Sequence, residues 1–386
     1  MMDKKDGIHA MLPKEHMCES AIKYRDVYEM KKDAPIFQRE FGYYVLNRWL
    51  AEGHIREASH ACLAEHFGFD EPGHYDLSGL GWTTAAFFPE FKQEIVETRG
   101  EHEVVIDAAG RHVLFFKGRR SGFMPEYLDH PVKDMDTWNR LCKWRLDPDT
   151  KGRYEDFDIK VRQARDAAMS GKIITQRLVG GYMYLRSLIG PEGLLYMFYD
   201  SPQLIHDCME TWFKLADAII ERHQKHVTID ELFIGEDICY NHGPLISPQM
   251  IREFLFPYYK QLIQNLKSRQ LDKDRKFYFQ VDTDGFALPV IDLYMELGMN
   301  VMSPFEVASG CDVVEIAKRY PELIMTGGID KRILAGTKKQ IDEHIDYIMP
   351  YMKKRGGYIP TCDHGVPEEV SFENYTHFRK RLLEFS

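Results

Sequence analysis

The chain has 386 residues, 44% apolar and 28% charged, a balance that suits a globular protein with a large core. Its formal net charge of −10 argues against nucleic acid as a partner, which selects a basic face, and no apolar run reaches the roughly twenty residues of a membrane span. The opening segment 1–16 lacks the apolar stretch of a secretory signal, and the seven cysteines form no CxxC pair, so a reduced cytoplasm is the expected compartment.

Along the chain, Ile22 to Trp49 carries helical periodicity with many aromatics, and Leu77 to Phe88 is a candidate early strand. Two β-rich runs, Glu103–Asp107 and His112–Lys117, flank Ala108-Ala109-Gly110 and predict a hairpin. Pro125 to Pro148, rich in proline and tryptophan, predicts irregular cover. From Lys172 the pattern becomes regular, with short β-rich runs at Lys172–Leu178, Glu231–Asp237, Lys276–Asp284, Asn300–Glu306, Leu323–Asp330 and Gly357–Asp363. Helical segments follow each. Ser201-Pro202 and Ser247-Pro248 place serine at N-cap and proline at N1. Ile341, Ile345, Ile348 and Met352 put one apolar face on a helix over Thr337–Lys354. This alternation predicts a parallel sheet, and the absence of GxGxxG and GxxxxGK[ST] removes support for a nucleotide fold. The expected fold is α/β, a single TIM (β/α)8 barrel over 1–386. Residues 1–170 supply an N-terminal helical and hairpin elaboration with the early strands, and 171–386 supply the regular units.

Barrel chemistry sits at the C-terminal ends of strands. Five successive runs end on carboxylates: Glu236 and Asp237, Asp282 and Asp284, Glu306, Asp330, and Asp363 beside His364. Single acids at such positions serve equally well as helix caps, but five on one rim repel and need a cation, shared protons or basic partners. Lys331, Arg332, Arg177 and Arg186 are candidate partners. Asp282, Asp284, Glu306 and His364, with Cys362, offer donors for zinc or another divalent metal. Glu236, Asp237 and Asp330 are candidate catalytic acids. His242, Gln280, Tyr182 and Lys331 are candidate substrate contacts, and Trp82, Phe87, Phe88, Tyr182 and Tyr184 are candidates to line an apolar pocket.

Several stretches together resemble the uroporphyrinogen decarboxylase superfamily, which includes corrinoid-dependent methyltransferases. They are Gly235-Glu236-Asp237 with Ser247-Pro248 and Pro257-Tyr258, Asp282-Thr283-Asp284-Gly285, Gly327-Gly328-Ile329-Asp330-Lys331-Arg332, and Gly356-Gly357-Tyr358-Ile359-Pro360 with Asp363-His364-Gly365-Val366-Pro367. The resemblance implies a TIM barrel with its site in the mouth. The decarboxylases carry an RQAGR motif near the N-terminus. Arg119 to Tyr127 is similar on paper, but it follows the hairpin and lacks the last arginine, so it is taken as coincidence. The thiol-activating methyltransferases bind zinc through His-x-Cys and a distant cysteine. Here Asp282-Thr283-Asp284 stands at the first place and His364 near the second. Oxygen in place of sulfur implies ether cleavage, as in the methyltransferase component of O-demethylase systems, which passes a methyl group to a corrinoid protein.

The expected activity is therefore metal-assisted transfer of a methyl group from a small methoxylated donor, an aryl methyl ether, to the cobalamin-type corrinoid of a partner protein. The alternatives are a metal-free decarboxylase acting on a small or tetrapyrrole carboxylate, and a non-enzymatic binding barrel. The sequence leaves subunit number open, with a homodimer the simplest assembly to test.

Overall fold

The computed structural model describes residues 10–120 and 125–386. The expectations for the first nine residues, and for Ser121–Met124 inside the arginine motif, lie outside the described residues. Strand β1 (His74–Asp76) opens a parallel sheet. An antiparallel insert follows, of β2 (Glu94–Arg99), β3 (His102–Ile106), β4 (His112–Phe116) and β5 (Glu126–Asp129). The parallel sheet resumes with β6 (Ile173–Val179) and β7 (Glu231–Gly235), and a small ribbon pairs β8 (Cys239–Tyr240) with β9 (Gly243–Pro244). It continues with β10 (Tyr278–Asp282), β11 (Val301–Ser303), β12 (Ile324–Thr326) and β13 (Tyr358–Ile359). The seven parallel strands lie in the order β1-β6-β7-β10-β11-β12-β13, with helices in the connections. Each of the six predicted runs meets a strand of this sheet; five are cut back to the residues that pair, and β6 runs one residue past its run, to Val179.

The sheet is curled. Tyr24, Val27 and Tyr28 of the helix Glu19–Tyr28 pack in one cluster with Ile173, Tyr278, Val301 and Ile324, the first residues of four strands, and with Ile359 of β13. His74 of β1 stacks on Tyr24 at 5.3 Å, so strands from both edges of the sheet meet the same helix. That helix is a plug. Tyr28 donates to Glu231 Oε1 at 2.6 Å, and Thr175 donates to Glu231 Oε2 at 2.7 Å, which satisfies a carboxyl sealed inside.

Eight strands were expected and seven pair in parallel among the described residues. Between β1 and β13 runs the extended segment 36–44. Gln38 O accepts from Asp70 N at one side, and Gly42 O and Tyr44 N bond Val366 at the other. The predicted helix over 22–49 stops at Tyr28, because the chain turns with positive φ at Met30 and Asp33 before resuming helix at Leu46–Ala51. The hairpin is present but belongs to a four-stranded sheet. The expected irregular cover includes β5 and short helical turns through Leu146. The early strand lies just before its expected place, with only Leu80 bridging Leu178 beyond it. Ser247 caps its helix through Met250 N as predicted, whereas Ser201 makes no side-chain cap bond.

Candidate active site

Past the end of β10 at Asp282 the burial alternates, with Asp282 and Asp284 part-open and Thr283 fully buried between them. Thr283 Oγ1 accepts from Ile238 N at 3.0 Å and Cys239 N at 3.1 Å, tying the loop after β7 to this strand end. Asp282 accepts from Ser303 Oγ, which in turn accepts from Gln280 Nε2 at 2.8 Å. Burial pushes Asp282 up to about 6, opposed by the Ser303 bond and by the charges of Arg177 and Arg39.

The mouth carboxylates are unequally compensated. Asp237 is held at φ +42°, a sparsely populated conformation for a residue with a Cβ, and pairs with Arg186. Glu306 pairs with Lys331 Nζ at 3.1 Å, and the same ammonium lies 3.8 Å from Asp363. Asp284 has no lysine or arginine at ion-pair distance among the described residues. Its neighbour is His364 Nε2 at 3.6 Å. Burial, then the charges of Asp237, Asp282 and Glu306, push Asp284 up to about 8. Its side chain keeps 39% of its surface open, so it is crowded by like charges but reachable from solvent. His364 is pushed down by burial and Lys331, leaving a largely uncharged acid–imidazole pair near neutral pH. Tyr44 fixes the ring, stacked at 5.7 Å with its hydroxyl 3.2 Å from Nδ1.

Three expected site residues are placed elsewhere. Glu236 is fully buried behind the rim, accepting from Tyr259 OH and from Tyr182 N at 2.9 Å. Burial pushes it up to about 7, but no open face remains for a substrate. Asp330 caps the turn Lys331–Leu334 through Arg332 N and pairs with the Arg332 guanidinium at 2.7 Å. The Cys362 thiol is fully buried and pushed well up by that burial, which keeps it a thiol. Among the described residues no three His, Cys, Asp or Glu side chains converge as metal ligands. Lys331 fills the cation position between Glu306 and Asp363, and Ser303 holds Asp282. As arranged, the expected zinc donors do not fit one ion.

Of the expected substrate contacts, Lys331 is in the mouth, Gln280 braces Ser303, and Tyr182 lies under the rim with 1% exposure. His242 is exposed in a loop, edge-on to Tyr240 at 5.6 Å. Phe87 and Phe88 line a cleft of about 550 Å³ beside helices Phe157–Met169 and Pro202–Gln224, and Tyr184 is core. Trp82 alone of the expected aromatics is half-open beside the strand ends, 5.3 Å from Phe233. Arg120 pairs with Glu103 in the outlying sheet, away from the strand ends.

Arg39, Tyr44 and Ser303 were not anticipated. Their contacts join segments far apart in sequence. The one available signal was the polar serine at the end of an apolar run.

The family model for uroporphyrinogen decarboxylase (URO-D) matches residues 105–384. A uroporphyrinogen decarboxylase of Hydrogenobaculum sp. (strain Y04AAS1) is 23% identical over 190 residues, 49% of this chain and 50% of that protein. One of Pseudoalteromonas translucida (strain TAC 125) is 24% identical over 202 residues, 49% of this chain and 51% of that protein. The chain thus spans about half the length of the curated relatives it matches. A solved methyltransferase from Methanosarcina mazei superposes with a TM-score of 0.55 at 12% identity, covering 94% of this chain and 98% of that one, a likeness of fold.

Proposed function

The chain belongs to the uroporphyrinogen decarboxylase family, and from that premise we propose that it moves a methyl group from a small aryl methyl ether to a corrinoid carried by a separate protein. The closed barrel belongs to the same proposal, with segment 36–44 as its eighth stave. The observation that carries the reading is the position of Asp284, a mouth carboxylate with no lysine or arginine at ion-pair distance among the described residues, open to solvent and, unlike Asp282 with its Ser303 bond, hemmed in by three other acids.

An aryl oxide is a poor leaving group near neutral pH, so ether cleavage needs a proton or positive charge at the departing oxygen. Asp284 supplies the proton. The carbon–oxygen bond breaks, its electron pair stays on the aryl oxygen, and the Asp284 proton moves to that oxygen. The corrinoid, entering as second substrate, supplies the nucleophile that takes the methyl carbon. His364, held by Tyr44, returns a proton to Asp284 from solvent. The proton step is drawn through Asp284 alone, since the expected metal donors do not converge. Metal analysis tests zinc separately, and bound zinc would require a third donor to join Asp284 and His364.

Decarboxylation remains the second reading, favoured by Arg177, whose side chain is 37% open. A substrate carboxylate there must compete with Asp76, which lies 3.0 Å from Arg177 Nε. Two other mouth cations are also committed, Arg186 to Asp237 and Lys331 to Glu306 and Asp363, while the charge of Arg39 acts on Asp282. That balance disfavours a polyanionic tetrapyrrole and favours an uncharged ether. Incubation with reduced cobalamin and methoxylated arenes tests the choice. The methylcobalamin spectrum is expected, and carbon dioxide release without corrinoid would replace this reading with the second.

A further inference from the structure

Trp82 reaches the mouth through a defined local path. The chain leaving β1 runs beside β6, where Leu80 O accepts from Val179 N at 3.1 Å. It then turns at Gly81, with φ +75°, where a Cβ would stand 2.2 Å from Thr84 O. The turn lays the indole on the end of β7. A Cβ on Gly235 would lie 3.1 Å from Trp82 Cζ3, so only glycine admits this approach without a shift.

The indole is part of a layer. Phe233 shares the inward face of β7 with Glu231, whose carboxyl bonds the plug helix, and its ring lies 5.3 Å from Trp82, tilted by 37°. The Arg177 guanidinium lies 4.9 Å from the Trp82 ring and 5.3 Å from the Phe233 ring, anchored by Asp76. Trp82 nevertheless keeps 38% of its surface open, whereas Trp49 and Trp138 are fully buried and Trp212 is 4% exposed. Asp237 follows Gly235 by two residues, so the open ring stands at the edge of the acidic cleft.

We infer that Trp82, Phe233 and Arg177 form an aryl-binding shelf, on which the planar ring of an uncharged aromatic substrate stacks against the Trp82 indole. Plain lid packing would bury the indole. An anchored guanidinium and two rings in one layer offer a further ring the offset stacking that an aliphatic ligand cannot return. The shelf deepens the methyl-ether reading and rests on it for the substrate class.

The test is equilibrium binding by calorimetry on the whole chain without corrinoid, using 2-methoxyphenol and 2-methoxyethanol. The wild-type protein is expected to bind 2-methoxyphenol at least tenfold more tightly. Trp82→Leu should lose about tenfold for the aryl probe, the size of one aromatic stacking contact. Trp82→Phe should stay within about threefold of wild type, and Trp144→Leu, at an exposed tryptophan on another surface, should match wild type. Thermal melts of each variant separate lost binding from lost fold. Equal or absent binding of the two probes by wild type, or undiminished aryl binding by a folded Trp82→Leu, would overturn the shelf. Aryl binding that depends on Trp82 without any methyl transfer would uphold the shelf while removing the reaction.

Discussion

Asp282 and Asp284 stand two residues apart at one strand end, and their neighbours divide their work. Asp282 takes a hydroxyl bond and two arginine fields, whereas Asp284 faces acids and a neutral imidazole. A proton donor must be protonated before it acts, so kcat/KM should be level below and fall above the Asp284 value of about 8. Asp284→Asn should cost roughly 10²–10³ in kcat and remove that falling limb, while 2-methoxyphenol binding stays near wild type. An unchanged pH profile in the variant would exclude Asp284 as the donor. Glu236 makes a separate prediction about stability. Burial raises it from 4.5 to about 7 in the folded chain, so the folded state holds the proton more tightly than the unfolded state. Its stabilising contribution is full below about 4.5 and is lost as pH rises through 7. Glu236→Gln should therefore flatten the pH dependence of urea unfolding across that window, by up to roughly 3 kcal/mol. Parallel curves for the two proteins would contradict this.

At the scale of elements, strand ends approach one another closely enough for glycine to be obligatory. Gly327, after β12, has φ +108°, and a Cβ there would stand 1.9 Å from Pro304 O. Gly100, between β2 and β3, has φ +57° with open space around it. Gly327→Ala should cost more than about 3 kcal/mol or prevent folding, while Gly100→Ala should cost about 1 kcal/mol, a difference read by urea unfolding. Equal effects would mean the close approach is not real. The same elements explain what the sequence could disclose. The parallel strands were legible because β-rich apolar runs stop at Gly, Pro and Asp. The plug helix was read too long because its aromatic spacing continues past Tyr28, while the turn is fixed by positive φ at Met30 and Asp33. Strand β2 went unread because all six of its residues are exposed, leaving no apolar–polar alternation. Asp330 and Glu236 share the strand-end signature of the mouth acids, and only three-dimensional surroundings separate a cap or a buried brace from a reactive group. Arg39 and Tyr44 were invisible for a related reason. Tyr44 meets His364 across 320 residues of chain.

The whole molecule joins a curled parallel sheet, sealed at one end by Glu19–Tyr28, to a mouth at the other end where acids outnumber free cations. Among the described residues no helix is long and apolar enough to cross a membrane. On the proposed reaction, a sealed base and an open rim give both substrates the same approach, so the ether is expected to bind first, beneath the corrinoid. The most direct measurement of methyl transfer uses 2-methoxyphenol with a deuterated methyl group and reduced cobalamin, with the products weighed by mass spectrometry. The predicted result is cobalamin bearing the trideuterated methyl group, one equivalent of catechol for each methyl moved, and initial formation of both slowed by roughly 10²–10³ with Asp284→Asn. Catechol without labelled methylcobalamin, or no demethylation of any methoxyarene by folded protein that releases carbon dioxide from a carboxylate, would contradict it.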